Sequence, residues 1–173
     1  MKGEKEMAAN DAREFVVENA HIIFSNFEGK EKQFNKEGDR NFAILLDDLD
    51  LVENLREDGW NVKKLKPRSE EEEDNPRYQL PVAVTYPKNY ENLWPVVKVA
   101  NPATKKISKL GQDEIKMLDW IDYTDAVVII RPRKWTDDSG VMRVKAFLKE
   151  IAVTLVNNPI DEKYADYEEE MPF

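Results

Sequence analysis

Cysteine is absent from the sequence and histidine occurs once, at His21. Without thiols there is neither a disulfide framework nor a zinc ribbon, and a lone imidazole leaves no histidine-based metal site and no Ser-His-Asp triad. On the strand that its neighbours predict, His21 is expected to be a structural or surface residue. A glycine-rich phosphate loop with a Walker lysine and a nucleophile elbow are missing as well. The expectation is therefore a protein that is not an enzyme and holds no cofactor and no metal. No apolar run reaches the ~20 residues of a membrane span, and no basic-apolar leader opens the chain, which predicts a cytosolic protein with no membrane partner.

What the chain does have is length for one domain with a real core, 173 residues, and a net charge of -9. That charge is unevenly placed. Residues 70 to 74 (Glu70, Glu71, Glu72, Glu73, Asp74) contribute -5, and residues 161 to 173, six acids with Lys163, another -5. Removing both turns -9 into +1. The body is near neutral and can carry a basic groove, for which the two acidic segments would compete as internal polyanions.

Read in order, residues 1 to 12 are small and charged and are expected to be disordered. From Glu14 to Phe27 the pattern is extended, with Ala20, Ile22 and Phe24 on one side and His21, Ile23, Ser25 and Phe27 on the other. The loop from Gly29 to Asp39 sets Phe34 among Lys30, Lys32 and Lys36. An exposed ring among lysines suits a base-stacking finger beside a phosphate track; the other reading folds Phe34 back onto the body.

Arg40 to Leu46 returns as a strand with Phe42, Ile44 and Leu46 inward. Asp47, Asp48 and Asp50 then open a helix to about Glu57 that Gly59 closes, with Leu51, Val52 and Leu55 as its buried stripe. Capping and the helix dipole account for these acids. Trp60 to Pro67 reads as a strand with a basic end at Lys63, Lys64, Lys66 and Arg68, where Trp60 either stacks a base or seals the helix onto the sheet. Ser69 to Pro76 reads as a disordered hairpin loop. Strands follow over Leu80 to Tyr86, with Pro81 suggesting an edge or bulge, and over Val96 to Ala100. Gln112 to Asp122 reads as a helix with Ile115, Leu118 and Ile121 at core spacing.

The last third reads as a long hairpin. Its first strand ends Arg131-Pro132-Arg133-Lys134-Trp135, and Asp137-Asp138-Ser139-Gly140 makes the turn. In the returning strand Met142, Val144, Ala146 and Leu148 alternate with Arg143, Lys145, Phe147 and Lys149. One side can fill a core while the other interleaves cations and rings, the mixture that a groove for unpaired nucleic acid needs.

The chain ends Glu168-Glu169-Glu170-Met171-Pro172-Phe173. A solvated acidic run followed by a proline-restricted apolar residue beside a free carboxylate suits docking elsewhere, against a pocket with a basic rim; the other reading is a frayed acidic terminus. This ending resembles the tip of bacterial and bacteriophage single-stranded-DNA-binding proteins, where acids, an apolar residue, Pro and a terminal Phe recruit replication, recombination and repair enzymes. The resemblance covers about the last eight residues. It uses Glu for Asp and Met for Ile, and lacks a long Gly/Pro/Gln-rich linker, which points to a divergent phage-type or mobile-element relative working in the cytoplasm of a bacterial host.

The elements together predict a mainly β fold: an OB-fold-like antiparallel barrel with two short helices and a disordered acidic C-terminal tail. The domain is expected over residues 13–158 and the tail over 159–173. The loops at Gly29 to Asp39 and Lys134 to Gly140 would correspond, by fold analogy, to the two that OB-folds use for oligonucleotides. Expected phosphate contacts are Lys30, Lys32, Arg40, Lys64, Arg131, Arg133, Arg143 and Lys145. Expected base contacts are Phe34 and Trp135, with Trp60 or Phe147. The function this implies is sequence-independent binding and protection of single-stranded DNA, with the tip recruiting partner enzymes; assembly into a homo-oligomer stays open. The alternative is an acidic DNA mimic acting on another protein, and a carboxylate-only metal nuclease through Asp47 and Asp48 is the third reading.

Overall fold

The computed structural model describes residues 12–156 and Lys163. Strands dominate: β1 (Phe15–Val17), β2 (His21–Asn26), β3 (Arg40–Leu46), β4 (Lys63–Lys64), β5 (Tyr78–Val84), β6 (Val96–Asn101), β7 (Lys106–Leu110), β8 (Tyr123–Thr136) and β9 (Met142–Leu155). Two short helices, α1 (Leu49–Glu57) and α2 (Glu70–Asp74), interrupt them. The fold is thus mainly β, as the sequence predicts, with two helices among the described residues, of which only α1 is where the sequence places one. The core reaches back to Ala12; the remaining N-terminal residues, and the expected tail apart from Lys163, lie outside the described residues.

The strands form one sheet whose main path runs β1-β8-β9-β5-β3-β2. It begins and ends on neighbouring stretches of one chain segment, because β1 pairs with β8 while β2 pairs with β3. Ala20 N, between them, donates to Ala126 O at 2.8 Å. Most pairings are antiparallel. Two parallel ones join β9 to β5 at Val82↔Ala146 and to β6 over Val96↔Glu150 to Ala100↔Thr154.

One inserted residue in β9 lies between these two contacts. Ile129 pairs with Glu150 but Ile130 with Leu148, so Lys149 is extra and the inward parity switches from Val144, Ala146 and Leu148 to Ile151 and Val153. Phe27, Phe42, Ile44, Leu80, Val82, Ile130 and Ile151 fill the space behind the sheet at 0–1% exposure. Burying side chains of this size is worth ~1.5–3 kcal/mol each, so period-2 alternation fixes which face is core.

Several local expectations are corrected. The first strand breaks at a turn, with Asn19 at φ 49°, and again at a bulge, with Phe24 at φ 51°. Phe24 therefore leaves the side of Ala20 and Ile22, and Phe27 becomes core. The strand expected over Trp60 to Pro67 contracts to Lys63–Lys64, because Trp60 turns inward to bridge Val144.

The acidic run is helical rather than a disordered loop. Ser69 Oγ caps it by accepting from Glu72 N at 3.3 Å, and Glu72 accepts from Arg68 N at 2.7 Å and its guanidinium at 3.0 Å, with Arg77 at 3.5 Å. Hydrogen bonds from the Arg68 side chain and then its backbone hold the Glu72 carboxyl below its ordinary pKa. The helix expected over Gln112 to Asp122 is a 3₁₀ turn, Ile115–Asp119. Ile115 and Leu118 are buried as predicted. Asp119 is drawn away to accept from Phe27 N at 2.9 Å and Glu28 N at 3.0 Å.

Candidate nucleic-acid interface

Outside the core, β2, β3, β5 and β9 line a trough of about 1570 Å³, larger than the ~300–1,000 Å³ of small-molecule pockets. Its floor includes Asn41, Pro81 and Ala83, residues small enough to let a flat group approach the strands. Pro81 falls between the pairing of β5 with β4 at Tyr78 and Gln79 and with β9 at Val82 and Ala83, where its missing donor costs least. Among the described lining residues, Lys32, Arg40, Arg56, Lys63, Arg143 and Lys145 face a single acid, Asp39. Rings stand at the rim: Phe34 is 95% exposed, Phe24 65% and Trp135 52%.

The β2–β3 loop is held firmly. Asn26, buried, accepts from Lys30 N at 2.9 Å and donates to Lys30 O at 3.0 Å. Gly29 and Gly38 form a neck, with Gly38 N donating to Gly29 O at 2.8 Å. A Cβ on Gly29 would meet the Gly38 backbone at 3.1 Å, and its φ of 76° favours glycine in any case. Beyond the neck, Asn35 Nδ2 donates to the carbonyls of Lys30 (2.8 Å), Asp39 (3.0 Å) and Lys36 (3.1 Å), and Oδ1 accepts from Asn41 Nδ2 at 2.7 Å. Phe34, next to Asn35, is presented to solvent rather than folded back.

The β8–β9 turn joins two further lining residues, Trp135 and Arg143. Asp137 accepts from Ser139 Oγ (2.7 Å), Val141 N (2.9 Å), Ser139 N (2.9 Å) and Arg143 Nε (3.0 Å). The Ser139 hydroxyl first, then the Val141 amide, lower its pKa to about 2. This carboxylate fixes Arg143 at the trough's edge. Two of the lining cations rest on rings: Arg40 lies over the Tyr86 ring at 5.5 Å and Arg56 over Tyr78 at 4.6 Å. Burial raises the Tyr86 pKa against the opposing pull of Arg40, so this ring stays neutral.

Of the predicted contacts, Lys32, Phe34, Arg40, Trp135, Arg143 and Lys145 come together in the trough. Trp60 also borders it but is only 5% exposed, its ring edge-on to Phe15 at 5.1 Å. Such burial favours the sealing role over the base contact. Lys30 pairs with Glu28 at 3.3 Å, and Lys64 is exposed on β4 beside the trough-lining Lys63. Arg131 reaches Leu93 O at 3.5 Å, and Arg133 (5.9 Å) and Lys145 (5.4 Å) approach the ring of half-buried Phe147, so this group extends the basic face past the trough. Glu168, Glu169, Glu170, Met171, Pro172 and Phe173 lie outside the described residues.

The sequence reading missed Phe24, Arg56 and Lys63 as lining residues. Lys63 had the signal, as part of the basic strand end, but Arg56 is brought in by α1 and Phe24 by a bulge. Of the acids opening α1, Asp48 is the cap, accepting from Asp50 N at 3.0 Å and Leu51 N at 3.3 Å, and Asp50 lies in the first turn, where the helix dipole favours it. No helix among the described residues is long and apolar enough to cross a membrane.

The family model described as "putative phage ssDNA-binding domain" matches residues 6–171. No curated protein matches the sequence. The structure is similar to that of a single-stranded DNA-binding protein from bacteriophage Enc34 with its C terminus truncated. The TM-score is 0.50 at 12% identity, over 84% of this chain and 87% of that one, a likeness of fold. The same phage protein in complex with ssDNA aligns with TM-score 0.44 at 14% identity, over 84% and 88% of the two chains. The bacteriophage T7 single-stranded DNA-binding protein gp2.5 aligns with TM-score 0.39 at 10% identity, over 94% and 98%.

Proposed function

Since the chain belongs to the family of phage ssDNA-binding domains, and so among binding proteins rather than enzymes, we propose that the trough is where unpaired DNA lies. The observation that carries this reading is the convergence of six cations and three exposed rings on one concave face with a small-residue floor. Cations track the phosphates and rings take bases without reading sequence, since every base has a π-face. A strand path that starts and finishes on β1 and β2, with a helical turn before the final hairpin, supports an OB-type barrel as the scaffold.

The protein would coat and protect single strands during replication or recombination, in the cytoplasm of a bacterial host. The acidic tip, Glu168 to Phe173, would recruit partner enzymes, because its carboxylates and terminal ring match a basic-rimmed pocket. Titration of a fluorescent oligo-dT at low salt tests the central claim, and absence of binding ends it. Deleting Met171 to Phe173 should leave DNA affinity intact and abolish recruitment. Deleting residues 159–173 should tighten DNA binding modestly by removing an internal competitor, and weaker binding would refute that competition.

A further inference from the structure

We propose that Phe24 is a base-stacking residue which the β2 bulge turns into the trough at a cost to the stability of the fold. The inference rests on the single-strand-binding reading above. Along β2 the register with β3 is regular through Ile23↔Ala43 and resumes at Asn26↔Asn41, so β2 carries one residue more than its partner. Such an insertion re-aims side chains. Phe27 thereby enters the core at 0% exposure, while Phe24 emerges into the trough at 65%.

The bulge alone does not call for a phenyl ring. Phe24 has φ 51°, in the left-handed region where a side chain's Cβ crowds the following carbonyl and which Gly, Asn or Asp occupy most cheaply. Among the described residues, the other non-glycine positions with positive φ are Asn19, Asn89, Lys105 and Asp125, three of which are of that tolerant kind. Phe24 is the bulky exception. Packing does not explain it either, since most of the ring is in solvent. A ring kept in an unfavourable backbone conformation, exposed, and on the same concavity as Phe34 and Trp135 has the marks of a residue retained for its ligand.

The test measures affinity for a fluorescent oligo-dT and thermal stability together, in the full chain, for wild type, Phe24→Asn and Phe24→Tyr. Asparagine relieves the backbone and removes the ring. Its affinity should fall about 5- to 100-fold, while Tm stays level or rises. Tyrosine keeps the ring and should bind within about twofold of wild type, as stacking requires only a π-face. Unchanged affinity in Phe24→Asn would remove the ring from the DNA path, and a Tm falling with the affinity would reassign it to packing; either overturns the proposal. So would a Phe24→Tyr variant as weak as Phe24→Asn. Failure of wild type to bind would instead refute the functional reading on which this one stands.

Discussion

Replacing Asn35 with alanine should weaken DNA binding only through Phe34. The Asn35 amide faces three carbonyls at 2.8–3.1 Å and accepts one bond from Asn41. Its two N–H groups can satisfy two of those carbonyls at full strength, so about three bonds are lost, at ~0.5–1.5 kcal/mol net each. The loss falls on the loop. The glycine neck and the Asn26 clamp remain, and Phe34 at 95% exposure supports no core, so global Tm should fall by less than about 4 °C.

For binding, a loosened loop must be reordered, and the apparent affinity drops with the fraction of molecules holding Phe34 in place, up to the loss of the stack itself, about 5- to 150-fold. Phe34→Ala alone removes the stack, worth ~1–3 kcal/mol. If Asn35 acts by presenting that ring, the double variant should bind no worse than Phe34→Ala, within about 0.5 kcal/mol. Anisotropy titrations with an oligo-dT at fixed salt complete the cycle. Fully additive losses would refute the reasoning, because Asn35 would then contact DNA on its own account.

Salt should weaken binding with a log-log slope of about -3 if Lys32, Lys63, Arg143 and Lys145 each neutralise one phosphate; a slope near zero in a salt titration would exclude this track. Trp60→Ala should cost ~3–5 kcal/mol of stability by chemical denaturation. Trp60→Phe should leave DNA affinity within about twofold, and a large loss with intact Tm would return Trp60 to base stacking. Asp137 has a folded pKa depressed from 3.8 to about 2. Its contribution is thus present above the unfolded value and fades as pH falls through that window. By carboxyl NMR Asp137 should titrate near 2, and Asp137→Asn should lower stability at neutral pH while making no difference below the folded pKa.

Much of the scaffold was legible because one buried face enforces alternation. β3 occupies the expected Arg40–Leu46, and Val144, Ala146 and Leu148 point inward as read. The start and end of α1 followed from Asp48 and Gly59, whose capping chemistry is local. The bulges at Phe24 and Lys149 were not legible, since an added residue changes parity without any composition signal. Residues 70–74 looked merely solvated because their run of like charge masked two local helix signals, the Ser69 cap and the i,i+4 pair of Arg68 with Glu72, while the Arg77 contact forms only once the chain has folded. Arg56 was hidden for a similar reason: helix spacing gives its face, but only packing gives the neighbour across from it.

The doubly partnered β9 has a mechanical consequence. Arg143 and Lys145 ride on a strand that β8 flanks along its length and that β5 and β6 flank in succession on its other side. Tension transmitted through a bound polymer would be shared among three neighbours, as a keystone divides its load between the stones beside it. Hydrogen exchange should find these amides among the last to surrender their protons, so that the gripping surface yields only when the whole body does.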